Sequence, residues 1–505
     1  MTTIHQPRVA AGRSLALAAV SGLCLAAILP ISGCGGGARG GGGLFRPAAS
    51  WGRQIELDGQ TADWPESAAS VADAHYLYFR VNLPEEVSLQ QSPEPATLMV
   101  DLDNSAATGW TPAAPRDAAG YGFDLGVRFS PTDGQGGVSV VALDPSGAHT
   151  PVPHHLVGLQ FSPTHSASQF EVRIARHAGP EAPEGLADLL ASGGPATAMI
   201  TLQDAAGQTV GWSDPEPFSA PRAASSPPRA EVGVPPKPAN AIRIVSWNVH
   251  RSGPMTNAGP FSRVLQALDA DVILVQEWDN ADAADLQAWC TAVVSGDKSW
   301  SARTSSGAGV GIIAPHPVSG IGPGRISIGE SEADAAVRWV AGVVQTPIGD
   351  VAVASIHLKC CGGAGGPEDQ QRSAEAQVIN AAMREAYAET TGYIRVIAGD
   401  INLVGSRRAL DALRAGLDTD ASDLEPAEAF ALGDAAMDTW ADPASPFTPG
   451  RLDYAVFSDS TAELVHAFVF DTTRLSDGAL ARMGLDRTDT AASDHRPLVI
   501  DLRMK

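Results

Sequence analysis

Short runs of alternating polar and apolar residues fill the chain from residue 50 to residue 217. Turn residues separate the runs, and no long amphipathic helix lies between them. A period of two is typical of strands that bury one face. The pattern therefore predicts a β-sandwich over residues 50–217, with strands at 75–81, 97–102, 123–129, 137–143 and 170–174.

A different pattern follows a stretch rich in proline, alanine and serine at residues 218–240, which is typical of a linker between domains. From residue 241 to residue 505, apolar strand-like runs alternate with helix-like stretches. This alternation predicts an α/β or α+β domain in which helices cover sheet faces. Strands are expected at 242–247, 272–276, 351–357, 394–398, 452–457 and 498–502, and helices at 261–268 and 372–388.

Residues 1–33 have the pattern of an export signal. Arg8 and Arg13 precede an apolar run that is short for a membrane-spanning helix. The run ends in Ile-Ser-Gly-Cys34, which resembles a bacterial lipobox. That resemblance implies that Cys34 is lipidated and that the glycine-rich residues 34–49 form a tether; an uncleaved membrane anchor is the alternative. We expect an exported, lipid-anchored bacterial protein at the outer membrane, cell surface or periplasm.

The overall charge restricts the classes of function. The chain has 505 residues and a formal net charge of −23 at pH 7. An acidic chain gains nothing from counterion release at phosphates, so a nonspecific nucleic-acid coat protein is disfavoured. A nuclease stays open, because a bound metal ion supplies local positive charge.

The chain has five cysteines. Cys24 would be removed with the signal and Cys34 would carry the lipid, so three cysteines would remain free to form a disulfide. They are Cys290, Cys360 and Cys361. Because the compartment is oxidising, we expect a disulfide between Cys290 and one of the adjacent pair.

Polar side chains follow the predicted strands of residues 241–505 at the points where these strands begin or end. They are Asn248, Glu277, His357, Asp400, Asn402, Asp453, Asp494 and His495. Asp400 and Asn402 are two residues apart, so in extended backbone both point to one face. Carboxylate and amide oxygens are preferred ligands of hard divalent cations. This set predicts a magnesium-type site beside two histidines.

These residues stand in motifs that occur in a fixed order. The motifs are Ser-Trp-Asn248, Val-Gln-Glu277, Ile-His357-Leu, Gly-Asp400-Ile-Asn402, Arg-Leu-Asp453-Tyr and Ser-Asp494-His495-Arg-Pro. Together they resemble the ordered motifs of the endonuclease/exonuclease/phosphatase superfamily. The resemblance implies a four-layer sandwich of the DNase I-like type. It also implies a phosphoesterase that uses Mg²⁺ or Mn²⁺ to hydrolyse phosphodiester or phosphomonoester bonds by water attack.

The same resemblance implies the roles of the acidic and amide residues. Glu277 would bind the metal, while Asn248 and Asp494 would help to position the metal or the phosphate. Asp400 would orient or deprotonate the attacking water, and Asn402 would fix the phosphate.

Each of the two histidines also receives a role from the resemblance. His495 would donate to a phosphoryl oxygen and would be held by Asp453 as its charge partner. His357 is a candidate acid or transition-state donor. Nucleases of the family usually orient this histidine with a carboxylate, and the sequence does not choose among Glu330, Glu332 and Asp334.

The first domain shows a looser resemblance. The segments Leu57–Trp64 and Asp101–Gly109 resemble parts of family-9-like carbohydrate-binding sandwiches, which implies polysaccharide as a partner. Oxygen-bearing side chains alternate at Asp101, Asp103 and Ser105, a spacing that could hold Ca²⁺. The alternative is an Asx-rich turn that closes a hairpin.

The substrate stays open among nucleic acid, a phospholipid or sphingolipid head group, and a small phosphate ester. A second class of function is also open, namely an extracellular polysaccharide-binding lipoprotein whose phosphoesterase-like domain is inactive. Hydrolysis of a generic phosphodiester distinguishes the two classes.

Overall fold

The computed structural model describes residues 4–5 and 55–505, apart from 113–117, 132–135, 205, 306, 330–335 and 389–392. The expected export signal and lipid tether lie outside the described residues, except for residues 4–5. Within the described part of the chain, no helix combines the length and the apolar character needed to cross a bilayer.

Two antiparallel sheets form the amino-terminal domain. Its elements are β1 (Ile4–His5), β2 (Ser70–Ala72), β3 (Tyr76–Val87), β4 (Ala96–Asp101), β5 (Leu125–Phe129), β6 (Val138–Leu143), β7 (His149–Val152), β8 (Gln160–Ser162), β9 (Ala167–Ala175), α1 (Leu186–Ala191), β10 (Gly194–Gln203), β11 (Thr209–Ser213) and β12 (Glu216–Ala220). One sheet has the order β1-β11-β10-β4-β5-β6-β7, with β12 paired to β10, and the other has the order β2-β3-β9-β8. Phe79 of β3, Val100 of β4 and Val172 of β9 belong to one buried cluster, so the two sheets share a core.

The carboxy-terminal domain contains two further sheets and six helices among the described residues. Its strands are β13 (Ala241–Asn248), β14 (Val272–Gln276), β15 (Ser301–Thr304), β16 (Gly311–Ala314), β17 (Val318–Gly320), β18 (Arg338–Thr346), β19 (Gly349–His357), β20 (Ile394–Asp400), β21 (Glu425–Pro426), β22 (Phe430–Ala431), β23 (Asp453–Phe457), β24 (Ala462–Val469) and β25 (Leu498–Met504). Its helices are α2 (Gly253–Thr256), α3 (Ala258–Leu268), α4 (Ala283–Val293), α5 (Pro367–Tyr387), α6 (Arg408–Arg414) and α7 (Asp477–Met483). The sheet orders are β15-β16-β14-β13-β25-β24-β22 and β17-β18-β19-β20-β23-β21.

These elements stack in four layers. Ile244 of β13 and Val353 of β19 belong to the core between the two sheets. The next residue of β13, Val245, points to the opposite face and packs with Phe261 of α3. On the other outer face, Ala354 of β19 packs with α5 and α6. Because both faces of the central strands are buried, their sequences read as nearly continuous apolar runs.

Helix α5 begins earlier than the sequence predicted. The expected start was residue 372, whereas the helix begins at Pro367. Proline is well suited to the first helical position because its fixed φ matches the helix and its missing N–H needs no partner there. Glu368 and Asp369 then place negative charge in the first turn, where the helix dipole favours it.

The two domains contact each other through a buried polar interface. Arg173 of β9 donates to both carboxylate oxygens of Asp434 at 2.8 and 2.6 Å, and both side chains are buried. The backbone nitrogen of Leu57 donates to Ala435 O at 2.7 Å. A bidentate charged bond of this kind has a fixed geometry. It therefore holds the amino-terminal domain in one orientation on its neighbour.

The proline-rich segment is packed against the second domain. Its first residues, 218–220, complete strand β12. Further along, Ala230 N donates to Arg474 O at 2.9 Å, and Ser476 N donates to Ala230 O at 2.9 Å. Val232 packs against the core beneath α3. The first part of the segment is thus bound to the amino-terminal domain, and the part from Ala230 onwards to the domain that follows it.

Candidate active site

Strand ends bring the candidate residues to one edge of the two sheets. β13 and β14 are parallel, as are β19 and β20, so their carboxyl ends point the same way. β23 runs antiparallel to β20, and β25 runs antiparallel to β13. In this register Asp400 lies directly between His357 on one side and Asp453 on the other. Backbone pairing alone therefore places these three side chains in a row.

A buried glutamine joins the two sheets beneath this row. Gln276 has no exposed surface, and its Nε2 donates to Ser246 Oγ at 3.3 Å and to Ser355 Oγ at 3.0 Å. Ser355 Oγ in turn donates to Val275 O at 2.9 Å. Buried polar groups of this kind are retained only when they are hydrogen-bonded. The network fixes the two halves of the site relative to each other.

Asn248 connects the carboxylates of Glu277 and Asp400, which come from different sheets. Its Nδ2 donates to Glu277 Oε1 and to Asp400 Oδ2, both at 3.1 Å. Its amide oxygen accepts from His250 N at 3.0 Å. One ligand atom each from Glu277, His357 and Asp400 lies within 4.8 Å of the others. Oxygen and imidazole donors at this spacing fit a divalent cation such as Mg²⁺ or Mn²⁺.

Several residues at the site have left-handed backbone, which is uncommon outside glycine. The φ angles are 57° at Glu277, 49° at Asn402, 46° at His250 and 50° at Arg251. Arg251 N donates to Glu277 Oε2 at 3.1 Å, and Asn402 N donates to Asp400 Oδ1 at 3.0 Å. The strained turns therefore orient the two carboxylates.

His495 forms an ion pair at the bottom of the site. Its Nδ1 lies 2.7 Å from Asp453 Oδ2, and its Nε2 lies 3.7 Å from Asp400 Oδ2. Burial opposes a charged ring, but the carboxylates of Asp453 and Asp400 outweigh it and raise the pKa of His495 to about 10. The ring is therefore an imidazolium at neutral pH, with Nε2–H available as a donor.

His357, in contrast, is in the neutral form. Arg338 Nη1 donates to its Nδ1 at 2.8 Å, and a guanidinium can only donate, so Nδ1 is an acceptor and the ring proton is on Nε2. His357 Nε2 lies 3.4 Å from Asp400 Oδ2. Burial, followed by the charges of Arg338 and His495, holds the pKa of His357 well below its usual range. The site thus combines one neutral and one cationic imidazole.

These residues line a cavity of about 420 Å³. Its charged and amide side chains include Glu277, His357, Asp400, Asn402, Asp494 and His495.

Residues 245–495 match the model of the Endonuclease/Exonuclease/phosphatase family. We call this part of the chain the EEP domain, and members of this superfamily are hydrolases that act on phosphoesters. No curated protein matches the chain.

Solved structures with a similar fold cover about half of the chain. One is TDP2 from D. rerio complexed with a single strand DNA product, with 16% identity and a TM-score of 0.34, covering 52% of this chain and 99% of that chain. Another is beta toxin from Staphylococcus aureus with bound magnesium ions, with the same identity, TM-score and coverage. A third is an endonuclease/exonuclease/phosphatase family protein from Bacteroides thetaiotaomicron, with 15% identity and a TM-score of 0.35, covering 52% of this chain and 98% of that chain.

The sequence analysis did not identify Arg338, the residue that donates to His357 Nδ1. Glu330, Glu332 and Asp334, the carboxylates considered there, lie outside the described residues. Arg338 is the first residue of β18 and lies directly opposite His357 in the antiparallel pair β18–β19. Strand register was the signal that could have revealed it, but the sequence analysis did not identify β18.

Replacing Arg338 with methionine is expected to raise the pKa of His357. The substitution removes a neighbouring positive charge that disfavours the imidazolium, while the ring stays buried. The pKa is measured by NMR titration of the His357 ring nitrogens. Arg408→Met on α6 is the matched control and should leave the titration unchanged. An unaltered pKa of His357 in Arg338→Met contradicts the assignment of Nδ1 as acceptor.

Asp494 lies at the edge of the EEP cavity. Its Oδ2 accepts from Trp440 Nε1 at 3.0 Å, and its Oδ1 lies 3.0 Å from His250 Nδ1. Asn402 Nδ2 donates to Leu358 O at 3.1 Å. The sequence analysis anticipated neither Trp440 nor His250 as part of the site. Both are in or next to loops, where no periodicity marks a functional side chain.

The sequence analysis predicted Asp101, Asp103 and Ser105 as ligands of a Ca²⁺ ion in the amino-terminal domain, but the third acidic residue near this turn is Asp124. Carboxylate oxygens of Asp101, Asp103 and Asp124 lie within 4.8 Å of one another. Ser105 instead takes part in the turn: its N donates to Asp101 Oδ1 at 3.2 Å, and its Oγ accepts from Ala107 N at 3.3 Å. Burial raises the pKa of Asp124 to about 7. Ca²⁺ at this turn stays a prediction.

The expected disulfide is absent, and that prediction was wrong. Cys290, Cys360 and Cys361 are all free. Cys290 of α4 is buried in the helical layer outside the first sheet, where burial raises the pKa of its thiol to about 12. Cys360 and Cys361 follow β19 of the second sheet and line the cavity. The prediction considered compartment and cysteine count but not these separate layers. Cys34 lies outside the described residues.

Proposed function

We propose that this protein is a divalent-metal-dependent phosphoesterase that hydrolyses a phosphodiester or phosphomonoester by water attack. The observation that carries the proposal is the meeting of the Glu277 and Asp400 carboxylates with a neutral His357 and a cationic His495 in one cavity. Two imidazoles in different protonation states beside paired carboxylates suit proton transfer and charge stabilisation in one reaction.

The carboxylates would hold the metal and prepare the water. Glu277 and Asp400 face a common point, and Asn248 donates to both of them. A bound divalent cation would neutralise charge on the phosphoryl oxygens and the leaving group. Asp400 orients or deprotonates the attacking water, and Asn402 holds a phosphoryl oxygen through the amide hydrogen that Leu358 O does not use. Asp494 helps to position the phosphate from the rim.

The two histidines act as hydrogen-bond donors towards the phosphate. His495 donates from Nε2 to a phosphoryl oxygen, and its pair with Asp453 keeps it charged as negative charge develops on that oxygen. His357 also presents an Nε2–H, because Arg338 occupies its other nitrogen. As a neutral donor it stabilises the leaving oxygen.

We also propose that the protein is exported and anchored at the outside of a bacterial cell through lipid on Cys34. The lipobox-like ending of the apolar run motivates this proposal. Metabolic labelling with a radioactive fatty acid tests it: label should appear in the wild type and be lost in Cys34→Ser, and equal labelling of both proteins refutes it.

The hydrolase proposal is tested with bis-p-nitrophenyl phosphate. Purified full-length protein should release p-nitrophenol with Mg²⁺ or Mn²⁺, should stop after EDTA, and should recover on renewed addition of metal. Metal-loaded protein that is inert towards diesters, monoesters, DNA and sphingomyelin refutes the proposal. That outcome favours a polysaccharide-binding protein with an inactive EEP domain.

A further inference from the structure

The catalytic cavity is bounded by both domains. From the amino-terminal domain, it is lined by the five residues Ser88, Leu89, Gln90, Phe161 and Thr164, and by Gln91 beside them. The first three belong to the segment between β3 and β4, and Phe161 belongs to β8. These residues and the strand-end residues of the EEP domain line the same cavity. We call the five residues the amino-terminal wall.

We propose that this wall restricts the enzyme to small phosphate esters that carry an apolar or aromatic substituent. The inference rests on the proposed function, because it names the substrate class of that same site. It gives the amino-terminal domain a direct part in substrate selection.

Hydrogen bonds fix the amino-terminal wall to the EEP domain. Gln90 Oε1 accepts from Thr448 N at 2.9 Å, and both residues are buried. Thr164 Oγ1 accepts from Arg451 N at 2.8 Å. Ser88 Oγ accepts from Ala364 N at 2.9 Å and donates to Val404 O at 3.2 Å. The bonds are made by the lining side chains themselves, so the wall is a built part of the cavity.

The two sides of the cavity differ in chemistry. The EEP domain contributes the carboxylates of Glu277 and Asp400 and the imidazoles of His357 and His495, which suit a phosphoryl group. We call these four residues the floor of the cavity. The rest of the lining combines polar side chains, such as those of Ser88 and Thr164, with apolar ones, which are Leu89, Phe161, Val404, Trp440, Phe447 and Leu452. A ligand that places its phosphate on the floor thus meets aliphatic and aromatic surface with its other end. Aromatic side chains favour a flat or apolar substituent through buried area and ring contacts.

The size of the cavity favours a small molecule. Its volume is about 420 Å³, which is in the range of roughly 300–1,000 Å³ for pockets that enclose a drug-sized ligand. Specific protein–DNA interfaces instead bury roughly 1,000–2,500 Å² of protein surface. Because the amino-terminal wall lines the same cavity as the site residues, the reacting phosphate would bind in a space of small-molecule size.

The charge around the cavity also favours a small phosphate ester over a long nucleic acid. Arg251 is the one arginine among the described lining residues, and lysine is not among them. The chain as a whole carries a formal charge of −23. Long nucleic acids bind through many Lys and Arg contacts that release counterions. A single ester needs only the charge of the metal site and of His495.

Two substrates with a shared leaving group test the proposal. Bis-p-nitrophenyl phosphate and methyl p-nitrophenyl phosphate differ only in the group that stays on phosphorus. Full-length protein with Mg²⁺ should favour the aromatic diester by about tenfold or more in kcat/KM. Phe161→Ala should lose that preference through a higher KM for the aromatic diester, with kcat little changed. Trp110→Ala, an aromatic of the same domain that does not line the cavity, should keep it.

Circular dichroism shows whether Phe161→Ala is folded. If it is not, a second variant tests the proposal. Gln91, next to the wall, is half-buried and lines the cavity. Gln91→Trp adds bulk there and should raise the KM for bis-p-nitrophenyl phosphate about tenfold. Unchanged substrate ratios in the folded variants overturn the inference. So does faster cleavage of supercoiled plasmid or of sphingomyelin vesicles by the wild type. Either result leaves the proposed function intact, whereas inertness towards all these esters defeats both.

Discussion

Asp400→Asn is expected to lower kcat for bis-p-nitrophenyl phosphate by about 10³-fold at saturating Mg²⁺, because general base catalysis contributes typically 10²–10⁴-fold. Asp400 lies beside both histidines and Asn248. Its Oδ2 lies 3.4 Å from His357 Nε2 and 3.7 Å from His495 Nε2, and it accepts from Asn248 at 3.1 Å. The substitution keeps the shape of the side chain but removes the proposed base and one carboxylate of the proposed cation site.

The variant should also need a higher Mg²⁺ concentration for half-maximal activity, since one of the two carboxylates that would bind the proposed cation becomes neutral. Both quantities come from initial rates over a metal titration. The matched control is Asp411→Asn on α6, an exposed carboxylate that pairs with Arg407, which should keep wild-type rates. A kcat of Asp400→Asn within threefold of wild type would remove Asp400 from the proposed chemistry.

Asp453→Asn is expected to move the alkaline limb of the pH–rate profile to lower pH and to reduce kcat at pH 8 by about 10²-fold. In the wild type, burial lowers the pKa of His495, while Asp453 and then Asp400 raise it to about 10. Removing the charge of Asp453 leaves burial with less opposition, so His495 loses its proton at lower pH. At pH 8 much of the variant then lacks the cationic donor.

The pair of His495 and Asp453 should also make the free energy of unfolding depend on pH. The folded pKa of His495 is about 10 against an ordinary value of 6.5. Its contribution to the free energy of unfolding is therefore fully present below about pH 6.5 and is lost as the pH rises towards 10. Urea denaturation should show a larger loss of stability for Asp453→Asn at pH 6 than at pH 10.

A second histidine–aspartate pair of the same domain provides the control. His466 Nδ1 lies 2.8 Å from Asp501 Oδ2, and neither residue lines the cavity. His466→Gln should leave the alkaline limb where the wild type has it. An alkaline limb that is the same in Asp453→Asn and wild type contradicts the role of Asp453 as the charge partner of His495.

The pattern of apolar residues predicted the central strands and thereby the row of site residues. Buried strands such as β14 and β20 read as continuous apolar runs, and a polar residue directly after such a run marks the strand end. The sequence analysis grouped Glu277 and Asp400 because both follow such runs, although the strands that carry them lie in different sheets. The His495–Asp453 contact, implied by the family resemblance, is found at 2.7 Å.

Other features depend on contacts that periodicity does not encode. Arg338 reaches His357 through the register of β18 against β19, and β18 was not among the predicted strands. Trp440 binds Asp494 from an irregular segment. The amino-terminal wall arises from the docking of one domain on another, as when Gln90 bonds Thr448 across 358 positions of sequence. Such pairings follow from tertiary packing, whereas hydrophobic alternation reports only local burial.

The buried pair of Arg173 and Asp434 opposes a hinge motion between the two domains. A hinge motion that parted the domains would break this bidentate contact together with the backbone bonds from Leu57 and Ser166. Because these bonds would be lost in one movement, we expect the cavity that both domains line to keep its width when a ligand enters.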